Sequence, residues 1–160
     1  MPVRCEPRRG AIPRRGVLMA ALALACGSQE APAPPAGFAH AAAGRNCGPA
    51  DGPAVSIYLT PQPVDRLDPA PPFVHLYLWR GLWDLAGRTW SLAGNEAEGS
   101  AQYCAAAGQC ESASSGSIRI TAVDADSTIR ASVTLRFPGA GEIGGGIVAR
   151  WISRTMVYCG

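Results

Sequence analysis

Lysine is absent from this chain of 160 residues, so all 14 of its basic side chains are arginine. Five of them (Arg4, Arg8, Arg9, Arg14 and Arg15) lie before residue 26 beside a single acid, Glu6. The remainder holds nine arginines against eleven acidic residues, a net charge of −2. A nucleic-acid-binding domain is basic in its own right, so composition argues against a nucleic-acid partner. Histidine is scarce: only His40 and His75 occur, and neither C-x-x-C nor G-x-S-x-G is present. That removes the usual zinc spacing and the nucleophile elbow of the α/β hydrolases. The apolar run at 17–25 is nine residues long, far short of the roughly 20 that a bilayer-spanning helix needs. Glycine and proline, by contrast, are plentiful at 19 and 14 residues. They argue against a mostly helical fold, and the length allows one ordinary core.

The first 25 residues have the three parts of a secretory leader. An arginine-rich stretch precedes the apolar run VLMAALALA, which ends in small residues directly before Cys26. The segment LALACGS at 22–28 resembles the lipobox of bacterial lipoproteins. It departs from that pattern at Ala23, where leucine is usual. The resemblance implies that the Cys26 thiol is acylated and becomes the new N-terminus, so that the membrane is a partner through the lipid. Gly27 in place of an aspartate gives no inner-membrane retention signal, which implies the outer membrane in a two-membrane cell. The bland alternative is ordinary secretion, because Ala23-Leu24-Ala25 also satisfies the A-x-A rule. Residues 14–18 (RRGVL) are weakly similar to a twin-arginine export signal.

Residues 26–45 contain three prolines, many alanines and one bulky apolar side chain, Phe38. They are expected to form a disordered tether, since they bury too little to offset their ordering entropy. Such a spacer reaches up to roughly 60 Å, and His40 within it is expected to be a solvated linker residue. The folded domain is therefore expected over 46–160.

Alternation of apolar and polar side chains, the signature of a half-buried strand, recurs through that domain. Val55, Ile57 and Leu59 alternate with Ser56, Tyr58 and Thr60. Ile118, Ile120, Ala122, Ile129, Ala131, Val133, Leu135 and Phe137 share one face of a hairpin whose turn is Asp124-Ala125-Asp126-Ser127, and Val123 is the one apolar side chain on the other face. A second hairpin is expected from 82–85 and 88–92, a turn or two of helix around 95–107, a closing strand at 146–152 and a short extension at 154–158. These elements predict an all-β fold, an antiparallel β-sandwich or small β-barrel.

With Cys5 in the leader and Cys26 assigned to lipid, four cysteines remain. An even count in an exported chain predicts two disulfides. Of the three possible pairings, the expected one is Cys104 with Cys110, a local clip, and Cys47 with Cys159, which joins the ends of the domain.

Several motifs carry less than they suggest. Residues 139–144 (GAGEIG) form a literal G-x-G-x-x-G, yet neither a helix nor a distal acid follows, so a glycine-rich turn or bulge is expected rather than a dinucleotide site. Asp124 and Asp126 begin like a calcium loop but lack its glycine and glutamate. Asp84, Glu96, Glu98 and Glu111 are the acids from which paired carboxylates would have to come. Arg119, Arg130, Arg136 and Arg150 are interspersed with Ser and Thr and read as a solvated face. The clearest anomaly is the strand at 73–80, where Val74, Leu76 and Leu78 take one face while Phe73, His75, Tyr77 and Trp79 take the other. Either that strand is covered on both sides, or His75, Tyr77, Trp79, Trp83 and Trp90 present an aromatic platform to a glycan or lipid. The expectation is a lipid-anchored, non-enzymatic protein of the cell envelope with a structural or binding role and no metal or cofactor. An aromatic glycan- or lipid-binding module is the second reading and an envelope hydrolase the third.

Overall fold

The computed structural model describes residues 33–152 together with Cys159. The expected leader, the lipidation site at Cys26 and the extension at 154–158 lie outside these residues. The described chain is all-β. Its strands are β1 (His40–Cys47), β2 (Pro53–Thr60), β3 (Phe73–Leu78), β4 (Thr89–Ser91), β5 (Gly99–Ala106), β6 (Gln109–Ser112), β7 (Ser115–Val123), β8 (Ile129–Phe137) and β9 (Gly141–Trp151). They form one sheet in the order β4-β7-β8-β9-β1-β2-β3-β5-β6, curled into a half-barrel around a single core. At one end the edge strand β4 comes up to the start of β5, where the Glu98 N–H donates to the Ser91 carbonyl at 3.0 Å.

The sheet is mixed rather than purely antiparallel. β1 and β9 run parallel, with Ala41 beside Ala149 and Ala43 beside Trp151, while every other paired neighbour is antiparallel. Parallel neighbours need a long crossover, and here the crossover is the whole domain between them. The first and last strands therefore lie side by side at the middle of the sheet. Cys47 and Cys159, 112 positions apart, close that junction, and Cys104 and Cys110 pin β5 to β6, the pairing expected from the sequence.

Residues 33–45, expected to belong to a disordered tether, include a strap and most of the strand β1. β1 opens at His40, which is exposed, and the segment before it lies against β9, where Gly146 N–H donates to the Ala33 carbonyl at 2.7 Å. A Cβ at Gly145 would come within 2.7 Å of the Ala33 oxygen and the Pro35 nitrogen, so only glycine admits this strap. Phe38 is 8% exposed and meets Tyr103, which in turn meets Phe137. Burial of Phe38, the backbone bond at Ala33 and the pairing of β1 with β2 and β9 together hold the segment.

Inside the curl, Ile118, Ile120, Ile129, Val133, Leu135 and Phe137 are buried as the hairpin pattern requires. Val123 and Ala122 exchange faces, however. A register shift between Ile120 and Ala122 sets Ala122 opposite Arg130 and Val123 opposite the buried Ile129. Directly opposed residues share a face, so the bulge turns the one apolar exception inward.

Two other segments differ from expectation. Residues 82–85 are not a strand: Leu82–Asp84 is a 3-10 turn, and Thr89–Ser91 pairs with β7 instead. The turn places Leu85 in the core, where its carbonyl accepts the Trp90 Nε1 proton at 3.2 Å. The alanine-rich stretch expected to include a helical turn is the strand β5, with Ala101 opposite Leu76 and Gly99 opposite Leu78. Small side chains are required there; a Cβ at Gly99 would collide with the Tyr77 carbonyl. Tertiary packing outweighs the weak helical preference of alanine. The G-x-G-x-x-G residues make the β8–β9 turn and the start of β9, as expected.

Candidate functional site

β3 divides its side chains as the alternation requires. Val74, Leu76 and Leu78 are fully buried inside the curl, while Phe73, His75 and Tyr77 are half-buried on the outer face. There they join side chains of β2, because Tyr58 lies directly opposite His75. The two rings stack with centroids 4.4 Å apart and 5° between planes. Phe73 meets the Tyr58 ring edge-on at 5.6 Å, and Tyr77 lies 5.9 Å from His75. The result is an aromatic ladder across β2 and β3 that packs largely on itself.

A polar thread runs beneath it. Asn46 Nδ2 donates to Ser56 Oγ at 2.9 Å, and Ser56 Oγ is 2.9 Å from His75 Nε2. With its oxygen accepting from Asn46, the Ser56 hydroxyl is free to donate to a neutral imidazole. The Tyr77 hydroxyl donates to the Cys47 carbonyl, tying the ladder to the end of β1. Burial drives the His75 pKa down from 6.5 to about 4. Burial also raises the Tyr58 pKa, and the nearby Asp68 carboxylate adds to that shift from the proline-rich loop. That loop therefore returns to the edge of the ladder.

A serine and a histidine in hydrogen-bond contact invite comparison with a hydrolytic dyad. Ser56 is 1% exposed, so in this arrangement its oxygen cannot meet a substrate. Two of the four acids considered from the sequence are engaged elsewhere. Both oxygens of Glu111 are taken by the Gly139 and Ala140 N–H groups at 2.7 Å, and Glu98 faces Arg88 at 3.7 Å. Among the described residues no cluster of three or more His, Cys, Asp or Glu is placed to hold a metal. Asp124 pairs with Arg130 at 2.9 Å, and Asp126 accepts from the Thr128 N–H at 3.0 Å, an interaction that lowers its pKa.

The five aromatic and imidazole candidates separate into three groups. His75 and Tyr77 belong to the ladder. Trp79 follows at the end of β3, half-buried, with its Nε1 shielded from solvent and without a hydrogen-bond partner. Trp83 projects from the 3-10 turn at 66% exposure, whereas Trp90 is fully buried in the core beneath the Arg88 guanidinium, 4.4 Å from its ring centroid. Burial thus removes Trp90 from any exposed platform. Tyr58, Ser56 and Asn46, which complete the ladder, were not singled out in the sequence; the outward alternation of β2 marks the first two, but only register reveals their partners.

A second feature had no sequence signal. An open groove of about 1100 Å³ lies between the strap at 33–39, the start of β1 and strands β7, β8 and β9. Among its lining residues Phe38, Ala131 and Ile147 are buried in the core and Val148 is the large apolar side chain that is exposed, while Arg130, His40, Thr121 and Ser132 are its polar residues. Comparison with known proteins finds no matching family model, no matching curated protein and no matching solved structure.

Proposed function

We propose that this is an exported protein of the cell envelope, held to the membrane by lipid on Cys26, whose half-barrel has a structural or binding role without catalysis. The observation that carries this reading is the pairing of four cysteines inside the fold. Structural disulfides belong to oxidising compartments, in agreement with the leader pattern. The pairing also leaves Cys26 unclaimed by the domain, next to the residues that resemble a lipobox. Two or more acyl chains at that position would give a stable anchor, since each buried methylene contributes about 0.8 kcal/mol. Outer-membrane placement in a two-membrane cell belongs to the same proposal.

A non-catalytic role is favoured by the inaccessibility of Ser56 and by the engagement of Glu111 and Glu98 with other groups. The binding reading is favoured by the groove rather than by the aromatic strand, whose rings are occupied with one another. Expression of Cys26→Ser tests the anchor: the variant is expected to lose incorporation of labelled palmitate and to leave the membrane fraction. Unchanged labelling would contradict the proposal.

A further inference from the structure

The strap shortens the leash between the domain and any lipid on Cys26. Only six residues, 27–32, separate Cys26 from Ala33. Fully extended, that stretch spans at most about 25 Å, less than the roughly 30 Å thickness of a domain of this size. Ala33 is held beside β9, where its carbonyl accepts the Gly146 N–H at 2.7 Å. Val148 and Arg150 lie two and four positions further along the same strand, about 7 and 13 Å away. A short anchor therefore holds the outer face of the β7–β8–β9 wing nearest the bilayer, while the curl turns the ring ladder on β2 and β3 away from it.

That face also differs in charge from the rest of the molecule. It carries Arg119, Arg130, Arg136 and Arg150 beside Asp124, Asp126 and Glu142, whereas the other described residues hold four arginines against seven acids. Asp124 is paired with Arg130 at 2.9 Å and Glu142 with Arg136 at 3.6 Å. Arg119 and Arg150 are exposed and have no acidic partner among the described residues. Arg119 lies opposite Ser132, and Arg130 lies opposite Val148. Directly opposed residues share a face, so guanidiniums flank a valine that is 49% exposed.

We infer that this face rests on the bilayer that carries the anchor, with Arg119 and Arg150 on the phosphates of anionic lipids and Val148 among the head groups. The inference rests on the reading of Cys26 as the lipidated residue. Leash and charge select the same occupant: the anchor brings the bilayer to this wing, and the excess of acids elsewhere disfavours any other face on an anionic surface.

The test couples the mature chain to a maleimide lipid through Cys26, whose thiol is distinguishable because the four cysteines of the fold are paired. Arginines are then modified with p-hydroxyphenylglyoxal and mapped by peptide mass. On vesicles of equal parts phosphatidylglycerol and phosphatidylcholine, Arg119 and Arg150 are expected to react about fivefold more slowly than on pure phosphatidylcholine, while the exposed Arg66 and Arg80 react alike on both. Molar salt is expected to remove the difference. Equal reactivity of Arg119 and Arg150 on the two vesicles, or protection of Arg66 and Arg80 in their place, would overturn the inference. Because the lipid is supplied chemically, a failure here and a failure of palmitate labelling in cells are separate results.

Discussion

On β8, Arg130, Thr134 and Arg136 face water while Ile129, Val133 and Leu135 are buried opposite them. On β2 the residues opposite Val55, Ile57 and Leu59 are themselves withdrawn from water, Ser56 at 1% and Thr60 at 2% exposure. The same period-2 pattern therefore has two meanings in one sheet. In the β7–β8–β9 wing a polar side chain on the second face marks solvent, as in a half-wet antiparallel sheet. In the β1–β2–β3 wing it marks a buried group whose hydrogen bonds must be met internally. That wing meets them with the Asn46–Ser56–His75 thread and covers them with the Tyr58, His75 and Tyr77 rings.

The comparison breaks most visibly if the ends of the domain are released. Replacing Cys47 and Cys159 with serine opens a loop of 112 positions and is expected to cost up to about 4.7 kcal/mol, against about 2 kcal/mol for the short Cys104–Cys110 clip. Denaturant melts check the difference. Hydrogen exchange should show protection lost in β1, β2 and β3 before β7 and β8; uniform loss would mean that the wings are one unit.

Acid sharpens the contrast next. His75 titrates at about 4 in the fold and near 6.5 when unfolded. Between those values the unfolded chain binds a proton that the folded chain refuses, so stability is full above pH 6.5 and falls as pH drops toward 4. The loss is up to about 3 kcal/mol. His75→Gln, which keeps an acceptor for Ser56, should flatten the pH dependence in that window, and an unchanged profile would show that His75 is not buried neutral.

The smallest effects compare the outer faces directly. Tyr58→Ala should cost about 2–3 kcal/mol, because it strips the ring stacked on His75, whereas Thr134→Ala on the exposed face of β8 should stay within about 0.5 kcal/mol. Equal costs would erase the distinction between the wings.

Much of this was legible in the residues themselves. Hydrophobic alternation at 117–137 located β7 and β8, cysteine number and placement led to both disulfides, and the double apolar character of 73–79 flagged the wing covered on both sides. What stayed hidden depended on register or on distant partners. The bulge that turns Val123 inward is one inserted residue, invisible to a strict period of two. β1 carries little side-chain signal in AAAG; it is a strand because β2 and β9 flank it. The parallel junction of β1 and β9 and the contact of Ser56 with His75 arise from pairing across the fold, and so does the groove.

The most direct test of the central claim is the intact mass of the mature protein, taken without reduction and followed by peptide mapping. The account predicts an acylated N-terminus at Cys26, no free thiol among Cys47, Cys104, Cys110 and Cys159, and peptides linking Cys47 to Cys159 and Cys104 to Cys110. An unprocessed chain beginning at Met1, or free thiols at those four positions, would contradict it.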